Sequence, residues 1–218
     1  RPAAVDAPRP LVEQAEPEFV ASSLKFGGAI HQAIQHHYEQ WMIGQSVTPD
    51  ELHELFTAIW KDDDDLPVRY GKSEDEASVF DLAHRMLEAF ARSQMARPAG
   101  AIVGVEETLT APIDPAMPDL LGRIDVMILD GQTLHVIDAK TSRSRWTQAR
   151  ADESADQLLL YARLLSKLAG DQELHLSYGV ITKAKSPAVQ VLDVQQDAKR
   201  LATSIDLMKP IWSAMKAG

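Results

Sequence analysis

GRIDVMILDGQTLHVIDAK, residues 122–140 of this 218-residue chain, is the stretch that decides the fold. Two runs rich in Val, Ile, Leu and Met flank Asp130-Gly131 at its centre. Asp-Gly between such runs is a strong signal for a β-hairpin closed by a two-residue turn. We therefore expect two antiparallel strands that meet at Asp130 and Gly131.

This turn would bring three charged side chains onto one face of the hairpin. It pairs Asp125 with Val136, so that Asp125 and Asp138 are diagonal neighbours, and Lys140 follows on the same face. Diagonal neighbours lie roughly 7 Å apart, close enough for two carboxylates to bind one cation. The alternative is a solvent-facing ion pair across the strands. Against that alternative, the rest of both runs is nearly all apolar, which is typical of strands covered on both faces.

Upstream of the hairpin, apolar residues at helical spacing predict an amphipathic helix over residues 28–42. They are Ile30, Ile34, Tyr38 and Trp41. His31 shares a helix face with Gln35 and, taken alone, is more typical of a packed core residue than of a metal ligand. His36 and His37 are predicted to lie on the helix surface.

Two more helices are predicted before the hairpin, over residues 49–60 and 74–94, each with its own apolar stripe. Between them, residues 61–65 are KDDDD. Adjacent carboxylates repel one another, and no strand or helix is predicted to aim them at a common point. We therefore interpret this run as a solvated loop rather than a metal site.

A strand predicted over residues 101–109 carries Glu106 and Glu107 side by side. Strand alternation sends their side chains to opposite faces, so only one of them can point into a site. After the hairpin, Gln157 and Tyr161 lie one turn apart on the same face of a helix predicted over residues 154–168. The remaining predictions are strands over residues 174–182 and 189–194 and a closing helix over residues 197–215.

The composition is that of one globular domain. The chain is 45% hydrophobic and 25% charged, which is ordinary globular usage, and it is long enough to bury a full core. We expect residues 1–21, rich in Pro and Ala, to form an extended amino-terminal arm and residues 22–218 to form the domain. No apolar run reaches the length of a membrane span. The absence of cysteine fits a cytoplasmic protein.

The net charge of −10 counts against tight, unaided binding to nucleic acid, because Lys and Arg contacts to phosphate supply most non-specific affinity. Basic residues are nevertheless concentrated in residues 140–150, KTSRSRWTQAR, which include Arg143 and Arg145. This basic segment is either a local DNA-binding patch or a solvated loop that follows a strand. Trp146 within it either stacks on a base or caps the core.

Five motifs in this order resemble the PD-(D/E)XK nuclease superfamily, and in particular its RecB-like exonuclease branch. They are Phe26–His31, Glu106, Gly122–Asp125, Val136–Thr141 and Gln157–Tyr161. Each motif alone is weak, but their order and spacing make the combination specific. The resemblance implies an α/β fold with a restriction-endonuclease-like core, a central mixed β-sheet flanked by helices. It also implies a helical insertion before the sheet, at about residues 44–98.

The resemblance further implies roles for individual residues. The catalytic residues would be Glu106, Asp125, Asp138 and Lys140. The ligands of Mg²⁺ or Mn²⁺ would be His31, Asp125 and Asp138, with a carbonyl near Ala139. The substrate-binding residues would be Gln157 and Tyr161 at the border of the catalytic groove, joined by Arg143 and Arg145 if the basic segment binds DNA. The family pattern favours Glu106 over Glu107 as the site residue, unless a β-bulge exchanges the faces on which their side chains lie.

These roles predict a metal-dependent DNA nuclease that hydrolyses phosphodiester bonds. The resemblance favours an exonuclease for single-stranded or end-bearing DNA, acting in DNA repair, recombination, or phage or defence DNA processing. One alternative is an inactive nuclease-fold subunit that binds DNA or a helicase. Its expected signature is a substituted Asp125, Asp138 or Lys140, and all three residues are present. Another alternative is a structure-specific or restriction-like endonuclease of the same superfamily.

Two kinds of chemistry are excluded by the sequence. No Walker motif follows Gly27-Gly28, so any ATPase or helicase activity would have to belong to a partner protein. Some RecB-like relatives carry an iron–sulfur cluster on four cysteines, and this chain has no cysteine to hold one.

Overall fold

The computed structural model describes residues 18–62, 66–166 and 168–217. The helices are α1 (Ser22–Met42), α2 (Pro49–Lys61), α3 (Glu76–Ala91), α4 (Gln148–Glu153), α5 (Asp156–Leu165) and α6 (Ala198–Ala217). The strands are β1 (Val20–Ala21), β2 (Val68–Arg69), β3 (Ala101–Ala111), β4 (Leu120–Asp130), β5 (Thr133–Ser142), β6 (Glu173–Thr182) and β7 (Val189–Val194). Most of the expected arm, residues 1–17, and residues 63–65 of the acidic run lie outside the described residues.

Five strands form one mixed sheet in the order β3-β4-β5-β6-β7. β5 and β6 are parallel, and the other neighbouring strands are antiparallel. Parallel neighbours need a crossover connection, which α4 and α5 supply here. β1 and β2 form a separate two-stranded parallel ribbon. The predicted architecture, a mixed sheet flanked by helices, is confirmed.

Helices cover both faces of the sheet. α1, α2 and α3 build one core, in which Tyr38 and Phe56 are fully buried. α5 builds the other core around Leu158. β5 contributes to both, with Ile137 in the first core and Val136 in the second, as strand alternation requires. α2 and α3 lie between α1 and β3, where the helical insertion is expected.

The register of the central hairpin differs from the prediction by two residues. Val126 pairs with Ile137, so the turn residues are Gly131 and Gln132, and Asp130 belongs to β4. Gly131 has a φ of 58°, and a two-residue hairpin loop of type II′ requires a positive φ at its first residue. A shift of two residues keeps every side chain on its predicted face. The three charged side chains therefore still share one face of the hairpin.

α1 begins at Ser22, well before the predicted start at Gly28. The Gly27-Gly28 pair lowers local helix propensity, which is why the sequence pattern favours a later start. Phe26 is nevertheless buried in the core, and packing of this kind outweighs propensity. The additional turns extend α1 beyond the histidine motif, toward β1.

His37 is a core residue, contrary to the prediction that it lies on the helix surface. It is buried, and its Nε2 atom lies 2.8 Å from the carbonyl oxygen of Ala96. The ring of Phe90 packs edge-on against it, with ring centroids 5.1 Å apart. A histidine enclosed in this way is structural. Its neighbour His36 is half-buried.

The helix predicted over residues 154–168 is shorter and has a second helix before it. α5 begins at Asp156, and α4 begins at Gln148, inside the basic segment that was expected to be a loop. The side chain of Thr147 caps α4 by accepting a hydrogen bond from the backbone N–H of Arg150 at 3.2 Å. The cap explains why a helix starts within a polar stretch that has no apolar periodicity.

In the described part of the chain, none of the helices combines the length and the apolar character needed to cross a membrane.

Candidate active site

The candidate site forms where β4 and β5 separate. The ladder between these strands ends at Val126 and Ile137, although β4 reaches back to Leu120 and β5 continues to Ser142. Beyond the ladder, the backbone N–H of Ala139 donates to Oδ2 of Asp125 at 2.7 Å. A side-chain carboxylate thus takes the place of a strand-to-strand hydrogen bond.

A series of hydrogen bonds connects the carboxylate of Asp138 to α5. Continuing the hairpin register by one residue places Asp125 opposite Asp138. Asp138 is 1% exposed, and its Oδ2 atom lies 2.6 Å from Nζ of Lys140. Lys140 Nζ also donates to Oε1 of Gln157 at 3.0 Å, and Gln157 Nε2 donates to the hydroxyl of Tyr161 at 2.7 Å. The ammonium group is therefore fixed between a buried carboxylate and an amide.

A glycine allows α5 to approach β4 closely enough to complete this series of hydrogen bonds. The Tyr161 hydroxyl donates to the backbone carbonyl of Arg123 at 2.6 Å. A Cβ atom at Gly122 would lie 2.6 Å from Cδ1 of Leu164 and 3.2 Å from Cε1 of Tyr161. A Cβ atom at this position would therefore force the Leu164 side chain and the Tyr161 ring to move.

His31, Glu106 and Asp125 bring one ligand atom each to within 4.8 Å of one another. Nδ1 of His31 lies 3.7 Å from Oδ2 of Asp125. Asp138 is not part of this trio and lies beside it in its ion pair with Lys140. His31, both aspartates and Lys140 line one cavity of about 590 Å³, which Gln157 and Tyr161 border.

Glu106 reaches the trio through an unusual backbone conformation. Its φ is 52°, a region that residues other than glycine rarely adopt and that costs conformational energy. A register shift between Ile102 and Gly104 precedes it in β3. Glu106 is half-buried, whereas Glu107 is exposed. The structure thus points Glu106, rather than its neighbour, toward Asp125.

Burial sets the protonation behaviour of these side chains. It raises the pKa of Asp125 to about 6 and that of Asp138 to about 6, because a desolvated carboxylate favours its neutral form. The Ala139 amide and Lys140 lower the pKa of Asp125, and Glu106 raises it. Burial also raises the pKa of Glu106 and lowers that of His31.

This donor set fits a divalent cation. It offers hard carboxylate oxygens and one imidazole nitrogen, and the Ala139 backbone that hydrogen-bonds His31 adds a carbonyl. The raised pKa values of Asp125 and Asp138 mark negative charge that the protein's own cations only partly neutralise. A bound cation would offset the desolvation of both carboxylates.

Apart from Lys140, the basic segment lies outside this cluster. Arg143 and Arg145 are exposed on the loop between β5 and α4. Trp146 is half-buried: its Nε1 donates to Oγ of Ser142 at 3.0 Å, and its ring centroid lies 5.2 Å from that of Tyr178. Of the two interpretations of Trp146, core capping is the one that matches these contacts.

Sequence reasoning missed Arg123. Its Nε atom lies 2.6 Å from Oε2 of Glu106, so it is the cation that accompanies this carboxylate. The Gly122–Asp125 motif could have predicted Arg123 as a site residue, because Arg123 and Asp125 are two residues apart on a strand and therefore share a face.

Comparison with known proteins identifies the family of the chain. The family profile of the PD-(D/E)XK nuclease superfamily matches residues 8–217. No curated protein matches the sequence. Among solved structures, a candidate exonuclease from Eubacterium rectale is 12% identical, with 93% of this chain and 84% of that chain covered and a TM-score of 0.46. The protein SSO0001 is 16% identical, with 91% and 80% covered and a TM-score of 0.34. With its profile match over nearly the whole chain, the protein belongs to the PD-(D/E)XK nuclease superfamily.

Proposed function

We propose that the chain is a metal-dependent deoxyribonuclease of the RecB-like type that hydrolyses phosphodiester bonds in single-stranded or end-bearing DNA. The observation that carries the proposal is the convergence of three carboxylates, one imidazole and one ammonium group where β4 and β5 separate. The cellular setting we propose is cytoplasmic DNA processing, in repair, recombination or defence.

His31, Glu106, Asp125 and Asp138 would hold the cation. Carboxylate and carbonyl oxygens favour Mg²⁺ or Mn²⁺, and the single imidazole leans the site toward Mn²⁺. When bound, the cation supplies Lewis-acid stabilisation of the negative charge that builds on the non-bridging phosphate oxygens.

The protein's own groups would orient the reacting water. In the hydrolysis, the water oxygen bonds to phosphorus, the bond to the leaving sugar oxygen breaks, the water loses a proton and the leaving oxygen gains one. Lys140, held between Asp138 and Gln157, would position this water and stabilise the developing charge. Tyr161 would keep Gln157 in place through its own hydrogen bond to the β4 backbone.

An inactive DNA-binding subunit is the competing function. A nuclease fold that has lost catalysis should have lost part of the cluster, by substitution or by displacement of a side chain. Here Asp125, Asp138 and Lys140 are present and converge, which favours an active enzyme.

The decisive experiment offers end-labelled single-stranded, linear duplex and circular DNA to the protein with Mn²⁺, Mg²⁺ or EDTA. We expect progressive cutting of substrates with free ends, no cutting in EDTA, and loss of activity in Asp138→Asn. Asp130→Asn, at the exposed end of β4, is the matched control and should cut normally. If circular DNA is cut equally well, the enzyme is an endonuclease rather than an exonuclease. If no substrate is cut, the proposal is overturned.

His31 and Lys140 should fail in different ways. His31→Ala removes a ligand, so its activity should recover partly as Mn²⁺ is raised. Lys140→Ala should lower turnover, by about 10²-fold or more, without changing the Mn²⁺ concentration that gives half-maximal activity. Rate measurements over a Mn²⁺ titration distinguish the two effects. The reverse pattern would mean that Lys140 supports metal binding and His31 supports turnover.

A further inference from the structure

A second cavity, of about 930 Å³, opens near the amino end of α1. Its wall is shared by the first turn of α1, the β1–β2 ribbon with the turn after it, and the segments that follow β5 and β6. Four of its lining residues are cations: Arg69, Lys72, Arg143 and Lys183. Only one acidic residue, Glu74, lies among the lining residues. In a chain with 32 acidic and 22 basic side chains, this local excess of positive charge is unusual.

Glu74 neutralises only part of the cavity's positive charge, because one carboxylate faces four cations. Its carboxylate already accepts hydrogen bonds from the hydroxyl of Ser22 and from the backbone N–H of Gly71. It makes no ion pair within the described residues. The cavity therefore keeps a net positive charge that favours an anionic ligand.

Lys183 is the least solvated of the four cations. It is half-buried, and its ammonium lies 4.6 Å from the ring centroid of Phe26. Within the parts of the chain that the structure describes, the ammonium forms no ion pair and donates no hydrogen bond. Burial lowers the pKa of Lys183, the charge of Glu74 offsets part of that effect, and the charge of Arg143 lowers the pKa further. A cation placed in this way gains more from an anion than an exposed lysine does.

An exposed aromatic ring stands at the mouth of the cavity. Phe19 is 38% exposed, and the guanidinium of Arg69 lies 4.7 Å from its ring centroid. Aromatic rings beside basic residues are the arrangement by which proteins bind single strands, because unpaired bases have free faces for stacking. In a duplex those faces are covered by neighbouring base pairs.

Shared lining residues connect this cavity to the candidate active site along α1. Ser23 lines both this cavity and a second depression, and that depression shares His31 and Arg123 with the catalytic cavity. Between Ser23 and His31, a span of about 12 Å on an α-helix, the floor of the depression includes Gly27 and Gly28. These glycines present no side chain, so a nucleic-acid backbone can pass close to the helix.

We propose that this path, from Arg69 and Lys183 past Gly27 and Gly28 to His31, is the binding groove for the single strand that flanks the scissile phosphate. We name it the α1 groove. The inference rests on the proposed nuclease function and adds to it a strand path, a preference for single strands and a set of phosphate-binding residues outside the catalytic cluster.

The test measures binding and chemistry separately. Binding of a labelled oligothymidylate is followed by fluorescence anisotropy in EDTA, where no cutting occurs. Lys183→Ala and Lys72→Ala should each weaken binding about 5- to 10-fold and flatten the slope of log affinity against log salt by about 0.7. Lys185→Ala, two residues from Lys183 but exposed outside the cavity, is the matched control and should bind like the wild type.

Hydrolysis of bis(p-nitrophenyl) phosphate, which is too small to reach the groove, reports on the catalytic site alone. Lys183→Ala and Lys72→Ala should hydrolyse it at the wild-type rate with Mn²⁺. If the wild type cleaves it and both variants bind the oligonucleotide normally, the α1 groove is wrong and the nuclease stands. If the wild type cleaves no phosphodiester at all, the proposed function itself fails. Equal losses on duplex and on single strands would overturn the preference for single strands.

Discussion

Asp125 and Asp138 lie where two carboxylates would not ordinarily ionise together. Burial raises the pKa of each to about 6, while the Ala139 amide and the Lys140 ammonium offset part of this effect. A shift of one pKa unit corresponds to about 1.4 kcal/mol. Ionisation of the pair therefore costs folding free energy in the metal-free protein, and a divalent cation would recover it.

We expect Asp125→Asn to stabilise the metal-free protein at neutral pH. The folded-state pKa of Asp125, about 6, lies above the ordinary value of 3.8, so between these values the folded protein holds a proton that the unfolded chain has lost. The stability that this proton contributes is complete below about pH 4 and is lost as the pH rises through about 6. Asparagine still has a side-chain oxygen that can accept the hydrogen bond from the Ala139 N–H. Because asparagine does not ionise, the variant does not lose this stability as the pH rises.

Thermal unfolding in EDTA measures this effect. The midpoint of Asp125→Asn should match that of the wild type near pH 4 and exceed it by a few degrees near pH 7.5, corresponding to on the order of 1 to 3 kcal/mol. Added Mn²⁺ should stabilise the wild type and not the variant. Asp130→Asn should follow the wild type throughout. A lower midpoint for Asp125→Asn at neutral pH would show that the ionised carboxylate does not destabilise the folded protein.

At the scale of elements, the site depends on how closely α5 packs on β4. We expect Gly122→Ala to force them apart, because the added methyl group would lie 2.6 Å from Leu164 and 3.2 Å from the Tyr161 ring. The displacement would loosen the chain from Tyr161 through Gln157 to Lys140. Overpacking of this kind costs about 1 to 3 kcal/mol, so both the unfolding midpoint and turnover should fall, with little change in Mn²⁺ affinity.

Gly28→Ala is the matched stability control for this change. An added methyl group at Gly28 would meet nothing within 4 Å, and alanine is the better helix former by about 1 kcal/mol. Its unfolding midpoint should therefore rise. If Gly122→Ala melts and turns over like the wild type, the contact between α5 and β4 does not position the catalytic lysine.

The hairpin shows what could be predicted at this scale. Apolar runs around Asp130-Gly131 identified two strands, and alternation put Asp125, Asp138 and Lys140 on one face. The register was wrong by two residues, because glycine can supply the positive φ at either turn position, and composition does not say which. α4 was missed because its start depends on one cap, at Thr147, rather than on periodicity.

From the residues alone, the candidate site was predictable only where a strand or helix period groups its side chains, and the roles of His31 and Glu106 came from the family resemblance. Helical spacing put Gln157 and Tyr161 on one helix face, and only the family resemblance implied that they border the groove; both residues line the catalytic cavity. The positive φ of Glu106 and the ion pair between Glu106 and Arg123 depend on a bulge in β3 and on β3–β4 register. Lys183 comes next to Arg143 only through the parallel pairing of β5 and β6. Long-range geometry of this kind is not written in local sequence.

For the whole molecule, the question is how a chain of net charge −10 engages a polyanion. Its average field should repel DNA, so binding must come from local positive charge close to the site. The exposed Arg143 and Arg145 on the loop after β5 provide a test. Reversing both to Glu should weaken single-strand binding and flatten its salt dependence by about 0.7 per lost phosphate contact.

The control must change the net charge equally, or repulsion by the whole molecule would give the same result. Each exchange of a cation for Glu lowers the charge by two, so the Arg143→Glu, Arg145→Glu protein falls from −10 to −14. Arg163→Glu combined with Lys199→Glu, on exposed positions of α5 and α6, reaches the same charge away from the loop. We expect at least a tenfold loss of affinity for the first pair beyond that of the second in anisotropy titrations over a salt series. Equal losses for both pairs would mean that the loop is only solvated surface and that net charge alone governs the encounter with DNA.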